Sequence, residues 1–220
     1  MPTSVWRGIE HFVDVVVGSN AQSLLDIGVG KGKWGFLFRE YTDVWRGRWQ
    51  REQWRAVVDG IEIFTSYIQE HQRAVYSDIF FGDARSIVPH LFAYDIVMAG
   101  DVIEHFSKEQ GIALIEQRKE KTRKYLITII PLGDGWMRAV RTENEYELHR
   151  AKWELDDVRR LGFQFYTIYP AHDELRRIGF FVYYARPQHC LGKLQPLAAV
   201  PDLAAPGHEP VAAALAEAYI

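Results

Sequence analysis

Short apolar runs with the composition of β-strands alternate with helix-like segments through the first 130 residues of the chain. The strand-like runs are residues 23–27, 56–63, 77–81, 94–99 and 124–130, and the helix-like segments between them are residues 33–41, 65–73, 85–91 and 107–119. Such alternation favours parallel strands, because each helical crossover returns the chain to the same edge of the sheet. The pattern therefore predicts a doubly wound α/β fold.

The pattern changes towards the end of the chain. A helix-like segment at residues 154–161 leads into two aromatic-rich runs at residues 163–169 and 178–186, which a short connector joins. Strands that follow each other this closely pair as an antiparallel hairpin. We therefore expect a Rossmann-like, seven-stranded, mostly parallel sheet with an antiparallel C-terminal hairpin.

A chain of 220 residues suits one well-filled domain. We place this domain at residues 1–186, with a lead-in helix at residues 4–17 and a Trp- and Arg-rich insert at residues 43–55. The insert has two interpretations: a surface that stacks bases or sugars and holds phosphates, or a loop that caps the edge of the ligand site. Residues 187–220 are rich in Pro and Ala, which predicts a tail that lies on the domain or leads to a partner.

Charge and cysteine content exclude some classes of protein. The net charge of −3 argues against a domain that coats nucleic acid through bulk charge. Cys190 is the single cysteine and cannot form an internal disulfide, and the start of the chain lacks the pattern of a secretory signal. No run approaches the roughly 18 apolar residues of a membrane-spanning helix. We expect a soluble, cytoplasmic protein, either a monomer or a homodimer.

A glycine-rich turn joins the first strand of the sheet to the next helix. Gly28, Gly30 and Gly32 allow a nucleotide to approach the backbone closely. Their spacing differs from the dinucleotide motif Gly-x-Gly-x-x-Gly, whose last glycine would stand where this chain has Lys33. Asp26 precedes the turn and would repel a diphosphate, so its carboxylate favours a cofactor with a cationic group.

Acidic residues also follow the next strands along the chain. Glu62 ends the second strand, where a carboxylate can accept hydrogen bonds from both hydroxyls of a ribose. Asp83 and Ala84 follow the third strand, where Asp83 can accept from the amine of an adenine, and Asp101 follows the fourth. Because the carboxyl ends of parallel strands meet at one edge of the sheet, these residues predict a nucleoside site there.

Four segments in this order resemble anchors of the class I S-adenosylmethionine-dependent methyltransferases, over about residues 20–186. They are Leu25-Asp26-Ile27-Gly28-Val29-Gly30-Lys31-Gly32, Gly60-Ile61-Glu62, Gly82-Asp83-Ala84 and Tyr94-Asp95-Ile96-Val97. The resemblance implies S-adenosylmethionine as the cofactor. It implies a cofactor site formed by Asp26, Gly28, Gly30, Gly32, Glu62, Asp83, Ala84 and Asp101.

Acidic and imidazole groups cluster after the fourth strand. Asp101, Glu104 and His105 are spaced i, i+3 and i+4, which puts them on one face of a helix. His149 lies beyond the fifth strand and can fold over to meet His105. Two carboxylates and two imidazoles suit Mg²⁺ or Mn²⁺, which would lower the pKa of a bound hydroxyl. The alternatives are a general base, His149 or His105, acting without metal, or residues that only line the cofactor pocket.

This cluster resembles two branches of the family. Ubiquinone-pathway O-methyltransferases have an acid-x-x-Glu-His segment, and small-RNA 3′-terminal ribose 2′-O-methyltransferases add a later His four residues before a Trp, as His149 and Trp153 are here. The chain departs from both branches at Asp101, where Glu is usual, and at Pro131-Leu132, where Pro-Asn is frequent.

The leading hypothesis is an enzyme that methylates a hydroxyl oxygen of a small molecule, sugar or glycan. An alternative is methylation of the terminal ribose of an RNA, which His149, Trp153 and the insert suggest and the acidic net charge opposes. A third hypothesis is a cofactor-binding subunit that is inactive alone and activates a partner through residues 187–220.

Overall fold

The computed structural model describes residues 5–136, 144–171 and 176–186; the predicted tail lies outside these ranges. The strands are β1 (Ser23–Ile27), β2 (Val57–Glu62), β3 (Asp78–Phe81), β4 (Tyr94–Gly100), β5 (Thr122–Leu132), β6 (Phe165–Pro170) and β7 (Arg177–Tyr184). They form one seven-stranded sheet in the order β3-β2-β1-β4-β5-β7-β6. The first five strands are parallel, and β7 runs antiparallel to both β5 and β6. The predicted fold is confirmed.

The helices are α1 (Ile9–Ser19), α2 (Lys33–Thr42), α3 (Glu70–Val75), α4 (Ala84–Ile87), α5 (Lys108–Glu120) and α6 (Leu155–Arg160). The lead-in helix starts at Ile9 rather than at residue 4, because Gly8 has a left-handed backbone with φ 83°. Short 3₁₀ turns at Thr65–Tyr67 and Val88–His90 take part of the two segments predicted as longer helices. Within the described residues, no helix has the length and apolar character needed to cross a bilayer.

Buried apolar side chains cover both faces of the sheet. Neighbours along a strand point to opposite faces, so that Leu24 and Ile96 pack in one cluster with α1 and α2, and Leu25 and Val97 pack in the other with α5. All five residues of β1 are buried. A central strand covered on both sides in this way is typical of parallel sheets, and it fixes the position of the loop that follows β1.

The insert at residues 43–55 is organised by one buried carboxylate. Asp43 is fully buried and accepts hydrogen bonds from Arg39 Nη1 at 2.5 Å, Arg48 Nε at 2.6 Å and two backbone amides. The insert precedes β2 and therefore lies at the amino ends of the parallel strands. None of its residues lines the cavity at the opposite edge. The interpretation of the insert as a cap on the ligand site is therefore wrong.

Candidate active site

A cavity of about 520 Å³ opens at the carboxyl ends of the parallel strands. Its wall includes Gly28 after β1, Glu62 at the end of β2, Asp83 after β3 and Asp101 after β4. The strand order places them along the edge of the sheet as Asp83, Glu62, Gly28 and Asp101. Neighbouring strands lie about 4.8 Å apart, so this row of four residues is roughly 14 Å long.

The glycine loop has the backbone shape that its composition predicts. Gly28 and Gly30 line the cavity with positive φ angles of 76° and 51°. A Cβ atom on Gly28 would lie 2.5 Å from Cγ2 of Val102, so a larger residue does not fit. Gly32 precedes α2 with φ 80° and does not line the cavity. Gly32 therefore shapes the turn, and the other two glycines give access to its backbone.

Asp26 is fully buried beneath the glycine loop and does not line the cavity. Its Oδ2 accepts a hydrogen bond from the hydroxyl of Tyr76, whose ring packs against Gly35 and Gly60. Burial raises the pKa of Asp26 to about 7. The expectation that this carboxylate faces the cofactor is corrected, because its side chain leaves β1 on the face that α2 covers. No sequence motif marks Tyr76 as its partner.

Glu62 connects the end of β2 to the glycine loop. Its Oε2 accepts from the amide of Gly30 at 2.9 Å, and its Oε1 accepts from the amide of Phe64 at 2.8 Å. Burial raises the pKa of this carboxyl group. Glu62 thus orients the loop and also lines the cavity.

Asp83 precedes α4 and caps its first turn. Its Oδ1 accepts from the amide of Arg85 at 2.8 Å, and its Oδ2 pairs with the guanidinium of Arg85 at 2.5 Å. The Arg85 side chain holds the pKa of Asp83 below its ordinary value. Ala84 follows and lines the cavity beside them.

The N-terminal segment reaches the cavity at its β4 end. Asp101 has a left-handed backbone with φ 54°, which is uncommon for a residue with a side chain. Its Oδ2 accepts from the amide of Val5 at 3.3 Å, and Nζ of Lys33 donates to the carbonyl of Val5 at 2.7 Å. Burial raises the pKa of Asp101 to about 6 and lowers the pKa of Lys33. Lys33 is a cavity residue that the glycine spacing alone does not reveal.

Three of the four predicted metal ligands come together. The ligand atoms of Glu104, His105 and His149 all lie within 4.8 Å of one another. Asp101 is not part of this group and contacts the N-terminal segment instead. The predicted helical face is wrong, because Asp101 has the left-handed backbone and residues Ile103–His105 form a 3₁₀ turn.

Glu104 is a buried carboxyl group. It is 1% exposed, and neither of its side-chain oxygens has a hydrogen-bond partner within the ranges that the structure describes. Burial, followed by the neighbouring Asp101 carboxylate, raises its pKa well above the ordinary value. The protonated form is thus favoured when no cation is near. A buried acid without a partner is costly, so a ligand that pairs with it fits this position.

The two imidazoles beside Glu104 are held in the neutral form. His105 Nδ1 lies 3.2 Å from the carbonyl oxygen of Leu148. Since a carbonyl only accepts, Nδ1 carries the proton and Nε2 keeps a lone pair. Burial lowers the pKa of His105, and burial together with His105 lowers the pKa of His149 to about 4. Either imidazole can therefore ligate a cation or accept a proton at neutral pH.

Comparison with protein-family profiles and with curated proteins gives no match. Solved structures do match. Magnesium protoporphyrin IX methyltransferase (ChlM) from Synechocystis PCC 6803 with bound SAH is 15% identical over 81% of this chain and 82% of that chain, with a TM-score of 0.56. TehB from Haemophilus influenzae is 14% identical over 80% of this chain and 62% of that chain, with a TM-score of 0.56. The methyltransferase domain of bacterial CtHen1-CN is 17% identical over 80% of this chain and 97% of that chain, with a TM-score of 0.51.

This chain has the class I methyltransferase fold. Within it, two tryptophans position His149. Trp136 stacks on the imidazole, with ring centroids 6.4 Å apart, and Arg176 lies over the same indole ring at 4.6 Å. Trp153 is fully buried, does not line the cavity and packs against Gly111. The spacing between His149 and Trp153 therefore has a packing role: the indole ring fixes the segment in the core four residues after the imidazole.

Proposed function

We propose that this protein is an enzyme that transfers the methyl group of S-adenosylmethionine to a hydroxyl oxygen of a small molecule, sugar or glycan. The observation that carries the proposal is the buried Glu104 carboxyl group beside two neutral imidazoles, in a cavity at the carboxyl ends of the strands. The sulfonium is already a strong electrophile. The enzyme therefore has to align the acceptor oxygen and remove its proton.

The cofactor follows the order of the strands. Asp83 and Ala84 flank the adenine, and Glu62 accepts from the ribose hydroxyls. Gly28 and Gly30 allow the sulfur end to approach the backbone. The remaining part of the cofactor, its amino-acid end, reaches the end of β4.

Glu104, His105 and His149 would hold a divalent cation. A carboxylate without a hydrogen-bond partner and two imidazole nitrogens are a ligand set that Mn²⁺ and Mg²⁺ accept, with water or substrate oxygens completing it. When bound, such an ion lowers the pKa of the acceptor hydroxyl. The hydrogen bond from His105 Nδ1 to the carbonyl of Leu148 fixes the orientation of the imidazole ring, and this leaves Nε2 available to ligate the ion.

An imidazole can also receive the proton of the acceptor hydroxyl directly. Burial lowers the pKa values of both groups, so both are neutral at physiological pH, and the larger shift, to about 4, makes His149 the weaker base and His105 the better candidate. As the acceptor oxygen attacks, a C–O bond forms to the methyl carbon and the C–S bond breaks. The electron pair of the C–S bond remains on sulfur, and S-adenosylhomocysteine leaves.

Calorimetry tests the proposal most directly. Mn²⁺ is titrated into protein saturated with S-adenosylhomocysteine, using the natural chain, His149→Ala and the control His71→Ala, whose side chain is exposed outside the cavity. Binding of about one ion that His149→Ala weakens and His71→Ala preserves supports the cation site. If no ion binds, the cation is removed from the proposal and the imidazoles remain as bases.

A transfer assay tests the acceptor. Methyl transfer from labelled S-adenosylmethionine is measured with catechols, sugars and ribosides, because a neighbouring pair of hydroxyls can chelate a cation. Transfer to oxygen that depends on His149 or His105 supports the proposal. Transfer to nitrogen or carboxylate acceptors alone would refute it.

The second candidate is methylation of the terminal ribose of an RNA. It is supported by the ligand group that includes His149, since a later His of this kind is the feature that resembles the small-RNA 3′-terminal ribose 2′-O-methyltransferases. A single-stranded RNA with a free 3′ ribose is compared with the same RNA oxidised at that ribose. Transfer only to the unoxidised RNA, and better than to the free nucleoside, would favour this candidate over the small-molecule acceptor.

A further inference from the structure

Val5 presents both of its backbone polar groups to charged side chains at one end of the cavity. Its amide donates to Oδ2 of Asp101 at 3.3 Å, and its carbonyl accepts from Nζ of Lys33 at 2.7 Å. All three residues line the cavity. The Val5 amide thus donates to a carboxylate, and the Val5 carbonyl accepts from an ammonium group. The α-ammonium and α-carboxylate groups of a free amino acid would make the same two contacts in this place.

The position of this charged pair matches the amino-acid end of the proposed cofactor. Asp101 follows β4, one strand beyond the glycine loop and on the side away from Glu62 and Asp83. Lys33 is the first residue of α2 and follows the glycine loop directly. A nucleoside held at the ends of β3 and β2 therefore directs its remaining end towards Lys33 and Asp101.

The surroundings make this pair a selective site. Lys33 and Asp101 are both half-buried and interact with each other electrostatically. Charged groups shielded from water depend on well-placed partners. Val5 supplies such partners in the structure, and a zwitterionic α-amino acid would supply stronger ones because both of its groups are charged.

We propose that Lys33 and Asp101 bind the amino-acid end of S-adenosylmethionine, and that the Val5 backbone occupies this subsite until the cofactor displaces it. The inference rests on the cofactor named in the proposed function and is independent of the acceptor and the cation. Val5 then leaves the subsite when the cofactor binds and returns to it when the cofactor dissociates. The affinity for the cofactor is then set partly by the N-terminal segment.

Two probes separate the subsite from the rest of the cofactor site. S-adenosylhomocysteine carries the amino-acid end, and 5′-methylthioadenosine has the same nucleoside and sulfur without it. In calorimetry, Lys33→Met should lower the affinity for S-adenosylhomocysteine about tenfold or more, because a hydrogen bond between charged groups is lost. The affinity for 5′-methylthioadenosine should not change. Lys119→Met is the matched control, since Lys119 lies on α5 outside the cavity and pairs with Glu116. If Lys33→Met lowers the affinity for both probes equally, or for neither, the proposed subsite is wrong.

Hydrogen exchange tests the displacement of Val5. The rate is followed by mass spectrometry in the N-terminal peptide that contains Val5. Exchange should speed up when S-adenosylhomocysteine binds and stay unchanged with 5′-methylthioadenosine, because only the former competes for Asp101 and Lys33. Slower exchange with S-adenosylhomocysteine would show that the segment closes over the cofactor, which overturns the displacement.

The outcomes distinguish this inference from the proposed function. If the natural chain binds neither probe, the cofactor assignment fails and the inference fails with it. If it binds both probes with equal affinity, the cofactor assignment stands and only the amino-acid subsite is wrong.

Discussion

The backbone carbonyl of Glu104 accepts a hydrogen bond from the amide of Arg150 at 2.8 Å. The amide of Ala151 donates to the same oxygen at 3.1 Å. These two bonds attach the segment before α6 to the turn after β4. They bring His149 beside His105, with ring centroids 5.0 Å apart. The candidate ligand set therefore depends on a backbone contact between distant parts of the chain as well as on its side chains.

Removal of one of these amides should weaken cation binding selectively. Ala151→Pro lacks the donor, and we expect its Mn²⁺ affinity to fall about 10- to 100-fold, as it does when groups that orient metal ligands are lost. S-adenosylhomocysteine affinity should change less than about twofold, because Ala151 does not line the cavity and three of the four residues in the cofactor row follow strands other than β4. Calorimetry measures both affinities, and Ala151→Gly, which keeps the amide, is the control. Natural Mn²⁺ affinity in Ala151→Pro would show that this contact does not position His149.

Cation binding should release a proton from Glu104. Burial and Asp101 raise the pKa of this carboxyl group, so the ion must displace the proton that Glu104 carries. We expect ion binding to release a proton and the affinity for the ion to rise with pH. Calorimetry in buffers with different ionisation enthalpies counts the protons. Glu104→Gln should bind the ion more weakly and release none. Binding to the natural chain without release would exclude Glu104 as the protonated ligand.

The order of the elements and of the strand-end residues follows from the sequence, because local patterns fix both. Alternating faces at Leu24 and Leu25 identify a buried strand, and the positive φ of Gly28 needs glycine. The direction of individual side chains does not follow. The partner of Asp26 is Tyr76, fifty residues away, and no fixed spacing connects them. The i, i+3, i+4 spacing after β4 likewise misleads, since Asp101 has a left-handed backbone.

Asp26 should make the stability of the protein depend on pH. The carboxyl group titrates near 3.8 when unfolded, and burial raises its pKa to about 7 in the folded protein. The folded state thus holds the proton over this interval, and the free energy of unfolding falls as the pH rises towards about 7. We expect Asp26→Asn to gain stability relative to the natural chain between about pH 5 and about pH 8. Urea unfolding at both pH values measures the change.

Asp95→Asn is the control for this prediction. Although burial raises the pKa of Asp95, the amide of Gln22 and the side chain of Arg123 lower it below the ordinary value. This carboxylate is therefore ionised in both states above about pH 5, and its removal should cost the same stability at the two pH values. A stability difference between Asp26→Asn and the natural chain that does not grow with pH would show that Asp26 is ionised in the fold.

Substitutions in the insert at residues 43–55 should change the stability of the fold and leave binding of the acceptor unchanged. Asp43→Ala leaves the buried guanidinium of Arg39 without its carboxylate, and breaking a buried pair in this way costs about 3–5 kcal/mol. Trp45→Ala removes a ring that is 66% exposed, and should change the free energy of unfolding by less than about 0.5 kcal/mol. Neither position lines the cavity, so the KM for the acceptor should be unchanged in Trp45→Ala. Urea unfolding and steady-state kinetics measure the two effects. An increase in KM for Trp45→Ala would show that the insert contributes to substrate binding. It would also support the interpretation of its aromatic rings as a surface that stacks bases or sugars.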